Sequence, residues 1–266
     1  VAFLQELARR HIAGHDAERV AMTGSNGKTT TKELFRAAAQ ACLGVDGVLS
    51  SAGNQNNHLG VPLTALRLTR RHRLAIFEMG MNHKGELTQL CEIATPRIGL
   101  ITNVGSAHIG NLGSANDVAE AKGELFASLG KQGIAVVNSD DPHCVMQARI
   151  KDPARCVFFG RASWANLRLV HVEDLAATAG PRLHVLLAVG SKEFALDVPL
   201  VGIHNGVNVA AAAALALALG LDLDTACAGM AHVQPAKGRL SRLDLEDDLV
   251  VLDYTYNANP ESILAA

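Results

Sequence analysis

Arg19 to Phe35 reads RVAMTGSNGKTTTKELF, and this stretch decides the fold class. Val20, Ala21 and Met22 form a short apolar run that predicts a buried strand. A glycine-rich turn follows, and Lys28, Thr29 and Thr30 then open a segment with helical spacing. Strand, loop and helix in that order are the setting of a phosphate-binding loop. Backbone N–H groups freed by glycine face an anion at a helix N-terminus, where the helix dipole also favours negative charge. Gly24, Ser25, Asn26, Gly27, Lys28, Thr29 and Thr30 are thus the candidate cradle for a nucleotide, with Lys28 on the outer phosphates and the Thr29 hydroxyl on Mg²⁺. The loop departs from the usual pattern, because only Ser25 and Asn26 separate its glycines instead of four residues. Those two residues would also suit a turn that merely caps a helix.

The 266 residues are enough for one large α/β domain or two smaller ones, burying about 75% of the unfolded surface. Hydrophobic content is 48% with only 4% aromatic residues, so Ala, Val and Leu carry the core, as suits helices packed closely on a parallel sheet. A net charge of −2 with interspersed signs gives no electrostatic support for binding nucleic acid or an anionic membrane. The longest apolar run, Val207 to Leu219, is shorter than the roughly 20 residues a bilayer requires and reads as a buried helix. Cys42, Cys91, Cys144, Cys156 and Cys227 form no CxxC or Cys/His cluster, which predicts reduced thiols and a cytoplasmic compartment.

Taken in order, Val1 to Ala13 has helical periodicity, and Thr30 to Leu43 continues as a helix ended by Gly44. The loop before Pro62 carries Asn54, Gln55, Asn56 and Asn57, suited either to helix capping or to polar ligand recognition. Leu74 to Phe77 reads as a second buried strand ending in Glu78, a carboxylate placed where open α/β sheets bind ligands and where Mg²⁺ or its water is held. A third strand, Ile98 to Val104, leads to His108, either a metal ligand or a hydrogen-bonding loop residue. A helix over Ala115 to Leu129 carries Lys122, and a fourth strand over Ile134 to Asn138 precedes Asp140-Asp141-Pro142 at the next helix start. From Cys156 to Val201, alternating stretches at Leu167 to Val172, Leu183 to Val189 and Phe194 to Leu200 predict antiparallel strands. The expected fold is therefore α/β: a phosphate-loop-type, mostly parallel sheet flanked by helices, with a small antiparallel β meander attached. Asn205 and Asn208, three apart at the start of the Ala-rich helix, would share a face that could read a purine edge, unless Asn205 serves only as a cap. Asp222 to Met230 reads as another helix, followed by Lys237-Gly238-Arg239 and a last strand over Leu249 to Leu252.

Assembled, these stretches resemble the Mur ligase family along nearly the whole chain. The short loop TGSNGKTT is the family's own version of the cradle. GNQNNHLGVPLTAL (53–66), EMGMNHKGEL (78–87), AKGELF (121–126), GIHNGVNVAAAAAL (202–215) and YNANPES (256–262) are similar to the branch that adds D-alanyl-D-alanine to UDP-N-acetylmuramoyl-tripeptide. The resemblance implies that residues 1–15 link from an upstream domain, that 16–252 form the central ATP-binding domain, and that 253–266 begin a hinge into a Rossmann-like domain. It also implies a monomer.

The implied chemistry is ATP-driven amide formation through an acyl phosphate, with UDP-N-acetylmuramoyl-tripeptide and D-alanyl-D-alanine as partners. By the same resemblance Lys28, Glu78, His108, Lys122 and Arg239 are the catalytic set, and Thr29, Glu78, His108 and a carbamylated Lys122 hold Mg²⁺. Asn205, Asn208 and Asp253 join the loop in binding ATP, while Asn54, Asn56, Asn57, Asn82, His83, Tyr256, Asn257 and Asn259 face the other substrates. Without the resemblance Lys122 reads as a solvated helix-surface lysine. The family pattern has a second aspartate for the ribose where this chain has Tyr254, so either Asp253 substitutes or that contact is lost. Two further readings stand beside this one: a related ligase adding another amino acid, and a nucleotide-binding module without turnover.

Overall fold

Strand β1 (Glu18–Thr23) and helix α2 (Lys28–Leu43) are the hub of the computed structural model, which describes residues 1–105, 112–152, 155–175, 180–244, 249–256 and 263. Helix α1 (Ala2–Ala13) precedes them. On one side β1 pairs in parallel with β3 (Leu74–Glu78), which in turn pairs with the short edge strand β2 (Val48–Ser50). On its other side lies β4 (Ile98–Ile101), also parallel, followed by β5 (Ile134–Asn138) and β6 (Cys156–Gly160). The sheet ends with β7 (Leu167–Asp174), β8 (Leu183–Val189) and β9 (Lys192–Val198), giving the order β2-β3-β1-β4-β5-β6-β7-β8-β9. β7 to β9 are the expected antiparallel meander, hydrogen-bonded directly onto the parallel sheet.

Side-chain alternation along the central strands builds two cores. Val20, Met22, Leu74, Ile76, Ile98, Leu100 and Val136 face one, and Ala21, Ala75, Phe77, Ile101, Ala135 and Val137 face the other. The first core is closed by α2, α7 (Asn205–Ala218) and α8 (Leu223–Met230). The second is closed by α1, α3 (Gly60–Leu66), α4 (Glu86–Ala94), α5 (Ala115–Ser128) and α6 (Pro142–Ala148). Both faces are covered, so the strands read as continuous apolar runs. Helix α7 is alanine-rich because it is buried around most of its circumference, where larger side chains would hold it off its neighbours.

This arrangement places the site. Strand β1 sends its chain into α2 on one face, whereas its neighbours β3 and β4 send theirs into α4 and α5 on the other. A crevice opens beyond the carboxyl ends of strands that part in this way. The residues 24–27 loop sits there.

Three details differ from the sequence reading. Cys156–Gly160 belongs to the parallel part, pairing with β5, so the antiparallel region begins at Leu167 rather than Cys156. Val48–Ser50 is a strand too short to show a period of its own. The last strand, β11 (Val250–Asp253), joins β10 (Ser241–Asp244) in a separate two-stranded antiparallel sheet.

Candidate functional site

The loop after β1 is clamped by the segment that follows β4. Ser25 N donates to the Asn103 carbonyl at 3.0 Å and Asn26 N to Asn103 Oδ1 at 2.9 Å, while Thr102 Oγ1 and Asn103 Nδ2 donate back to the Asn26 carbonyl. Ser25 Oγ accepts from Gly105 N at 2.8 Å. The clamp leaves no room for a side chain on Gly24: a Cβ there, where φ is +151°, would fall 1.8 Å from Thr102 Oγ1. Gly27 takes the left-handed conformation just before the first turn of α2. The loop is thus fixed by the segment after β4, and α2 starts at Gly27 without a side-chain cap hydrogen bond.

Lys28 bends back over this loop, its ammonium donating to the carbonyls of Gly24 and Ser25. Burial lowers its pKa to about 8, with Glu78 opposing that shift and Arg239 adding to it. Thr29 Oγ1 donates to Glu78 Oε1 at 3.3 Å, and Asn56 Nδ2 reaches the same oxygen at 3.0 Å. Glu78 is 2% exposed, and its other oxygen, Oε2, has no hydrogen-bond donor but faces the ammonium of Lys32 at 3.6 Å. A carboxylate oxygen and a threonine hydroxyl side by side, at the mouth of an anion cradle, are the hard oxygen donors that Mg²⁺ takes together with phosphate. The residues present therefore fit a magnesium nucleotide.

Lys122 lies in the interior, 1% exposed, on α5. Burial, reinforced by the positive charge of Lys28 and opposed by Cys144, lowers its pKa to about 7. The solvated-lysine reading is thereby overturned: the spacing of α5 turns Lys122 toward the sheet. With a pKa of about 7, a substantial share of the amine is neutral near pH 7, and the neutral amine is the nucleophile that carbamylation needs.

Arg239 joins two clefts that flank the loop. The first, about 410 Å³, is lined by Lys28, Asn56, Asn57, Glu78, Asn82, Arg239 and Tyr256. The second, about 340 Å³, is lined by Asn26, Gly27, Thr30, Asn138, Asn205, Asn208, Arg239 and Tyr254. Arg239 Nη2 donates to Thr29 Oγ1 at 3.4 Å, and its guanidinium stacks on the Tyr256 ring at 4.4 Å. Asn208 links Thr31 and Asn205, accepting from Thr31 Oγ1 at 3.3 Å and donating to Asn205 Oδ1 at 2.8 Å. A groove of about 820 Å³ lies elsewhere, beside His15 and His72 at the amino ends of β1 and β3, and contains none of the motif residues.

Other expected residues take different places. Asn57 Oδ1 accepts from Leu59 N and Gly60 N, so it shapes the entry to α3 even though it also borders the first cleft. Asn54 and His83 are exposed, and the His83 and Asn82 backbones are held by Glu86 Oε2. Asp253 turns its Oδ1 to Thr255 N and Oγ1, whereas Tyr254 lines the second cleft. His108, Asn257 and Asn259 lie outside the described residues. Lys32 escaped the sequence reading. Its only signal is its position four residues after Lys28, on the same face of α2.

The sequence profile described as Mur ligase middle domain matches residues 22–216. The chain belongs to the Mur ligase family. The chain is 37% identical over 265 residues to the UDP-N-acetylmuramoyl-tripeptide–D-alanyl-D-alanine ligase of Haemophilus influenzae, covering 99% of its own length and 56% of the relative. It is 37% identical over 250 residues to the ligase of the same name from Escherichia coli, covering 94% and 54%. The solved structure of MurF from Acinetobacter baumannii superposes with a TM-score of 0.89 at 32% identity, over 98% of this chain and 56% of that one. The Thermotoga maritima MurF ligase, solved in complex with ADP, superposes at 0.83 with 26% identity, over 99% and 59%. The chain is thus homologous to MurF, and it spans about half the length of the curated relatives it matches.

Proposed function

We propose that this chain is the ATP-binding domain of a ligase that adds D-alanyl-D-alanine to UDP-N-acetylmuramoyl-tripeptide. The observation that carries this reading is the meeting of Lys28, Thr29, Glu78 and Arg239 between two clefts, in a chain homologous to MurF. The second cleft, with Asn205, Asn208 and Tyr254, suits the nucleoside; the first, with Asn56, Asn82 and Tyr256, suits the acyl acceptor.

In this reading the peptide carboxylate attacks the γ-phosphorus of ATP, the bond to the bridging oxygen breaks, and ADP leaves with that electron pair. The amine of D-alanyl-D-alanine then adds to the acyl carbon, loses its proton, and expels inorganic phosphate. Phosphoryl transfer of this kind rests on positioning and charge neutralisation. The N–H groups at the start of α2 and Lys28 hold the phosphates, and Arg239 stands at the junction through which the transferred group passes. Thr29 and Glu78 are the ligands for Mg²⁺, which when bound neutralises charge on the phosphate oxygens. A carbamylated Lys122, with His108, is the proposed second metal-binding pair.

Exchange of the matching segment of the Escherichia coli relative for this chain tests the reading. Phosphate release is expected with UDP-N-acetylmuramoyl-tripeptide and D-alanyl-D-alanine, and not with diaminopimelate as the added amine. The 266-residue chain alone is expected to bind Mg-ATP weakly and to ligate nothing. Absence of any Mg-ATP binding, or ligation by the chain alone, would count against it.

A further inference from the structure

A lysine with no exposed surface lies directly beneath the site. Lys32 is 0% exposed, and its ammonium donates to the carbonyls of Ser51 at 3.0 Å and Gly53 at 3.2 Å. Two carboxylates complete its surroundings: Glu33 Oε1 at 3.2 Å and Glu78 Oε2 at 3.6 Å. A buried ammonium is tolerated only where charge and hydrogen bonds are both supplied, and here both are. The two oxygens of Glu78 are consequently inequivalent. Oε1 is turned to Thr29 and Asn56, toward the cleft; Oε2 is turned inward to Lys32. Lys32 also fixes the chain at 51–53, which leads into the loop that delivers Asn56 to Glu78. Ser51 contributes again, its hydroxyl accepting from Glu78 N at 3.2 Å.

We propose that Lys32 is a positioning residue for Glu78: it commits Oε2 to the interior, so that Oε1 alone, beside the Thr29 hydroxyl, is offered to a magnesium nucleotide. The inference rests on the proposed function of the site and deepens it. Lys32 has no exposed surface and lines neither of the two clefts, so its effect on a nucleotide passes through Glu78 and therefore through the metal. Direct attraction between its charge and the phosphates would act whether or not metal is present, and this separates the two possibilities.

The test measures ADP affinity of the 266-residue chain by calorimetry, with Mg²⁺ and with EDTA, for the wild type and for Lys32→Met. The wild type is expected to bind more tightly with Mg²⁺, and the variant to lose at least tenfold with Mg²⁺ while changing less than threefold in EDTA. Equal losses in both conditions, or none, overturn the proposal while leaving the wild-type metal dependence intact. A wild type indifferent to Mg²⁺ overturns the functional reading and this inference with it. If Lys32→Met does not fold, a crystal structure of the wild type with Mg-ADP decides. Oε1 directed at the metal, or at its water, with Oε2 still against Lys32 is expected; metal contact through Oε2 overturns the proposal.

Discussion

Asn208 Oδ1 occupies the place where a side chain on Gly27 would begin: a Cβ there would fall 2.2 Å from it. The last loop residue before α2 and the helix α7 that borders the second cleft are thus in contact through a position that only glycine fills. Gly27 also has φ of +80°, a conformation that costs an L-residue about 1–2 kcal/mol. Gly27→Ala is expected to lower stability by at least that amount and to weaken ATP binding tenfold or more, because Asn208 must leave both Thr31 and Asn205. Urea unfolding and ATP titration of the variant check both, and an unchanged affinity would show that this contact does not shape the cradle.

Lys28 supplies a pH dependence whose sign follows from its lowered pKa. With a pKa of about 8 in the free protein, the ammonium carries its charge below that pH and loses it above. Phosphate favours the charged form, so affinity for ATP is expected to be level between pH 7 and 7.5 and to fall as the pH rises through 8 and 9. This range lies above the phosphate's own titration near about 6. Lys28→Met is expected to bind weakly with no such decline. A wild-type profile flat to pH 9.5 would contradict the assignment of Lys28 to the phosphates.

Lys122 makes a separate prediction, about stability. Its folded pKa of about 7 lies below the roughly 10.4 of an unfolded lysine, so the unfolded chain binds more protons between those values. Stability therefore rises with pH across that window, and below pH 7 the cost of burying the charge is fully felt. Lys122→Met is expected to be more stable than the wild type at pH 6.5, by more than about 1 kcal/mol, with the gap narrowing by pH 9. Bicarbonate adds a test of carbamylation. At pH 8 it should raise the melting temperature of the wild type and leave the Met variant unmoved; equal responses would exclude carbamylation of Lys122.

The parts of this site that were legible in the sequence are those set by local chemistry. The glycine-flanked loop after an apolar run, and Glu78 at a strand's carboxyl end, are found where strand–loop–helix order alone predicts them. The parts that were not legible depend on partners distant in sequence. Lys32 looks like any helix-surface lysine until Ser51, Gly53 and Glu78 close over it, and Lys122 looks the same until α5 turns it inward. Thr102 and Asn103, which clamp the loop, follow β4 without any motif of their own. For Asn57 the sequence leaves capping and recognition both open; its Oδ1 is engaged in starting α3 while the residue also borders the first cleft. Cys156–Gly160 falls at the start of the stretch expected to be antiparallel, but its five residues lack polar alternation, which is what pairing within the parallel sheet produces.

Asp141 couples a helix cap to the clamp, and this gives a prediction in which stability and binding move together. Its Oδ1 accepts from His143 N at 2.9 Å and Cys144 N at 3.2 Å at the start of α6, while Oδ2 accepts from Val104 N at 2.7 Å. Val104 directly follows Asn103, whose carbonyl and side chain hold Ser25 and Asn26. Losing the cap and a charge-assisted bond together costs about 2–4 kcal/mol, so Asp141→Ala is expected to unfold at lower urea and also to bind ATP more weakly. Asp141→Asn should fall between, since its amide oxygen can still cap α6 but its NH₂ would meet the Val104 N–H. Asp222 provides the comparison: it caps α8 through Thr225 N at 2.9 Å and has no link to the loop. Asp222→Ala should therefore lose stability and keep its affinity. If Asp141→Ala behaves like Asp222→Ala, the segment after β4 does not transmit to the cradle, and the clamp holds the loop through Thr102 and Asn103 alone.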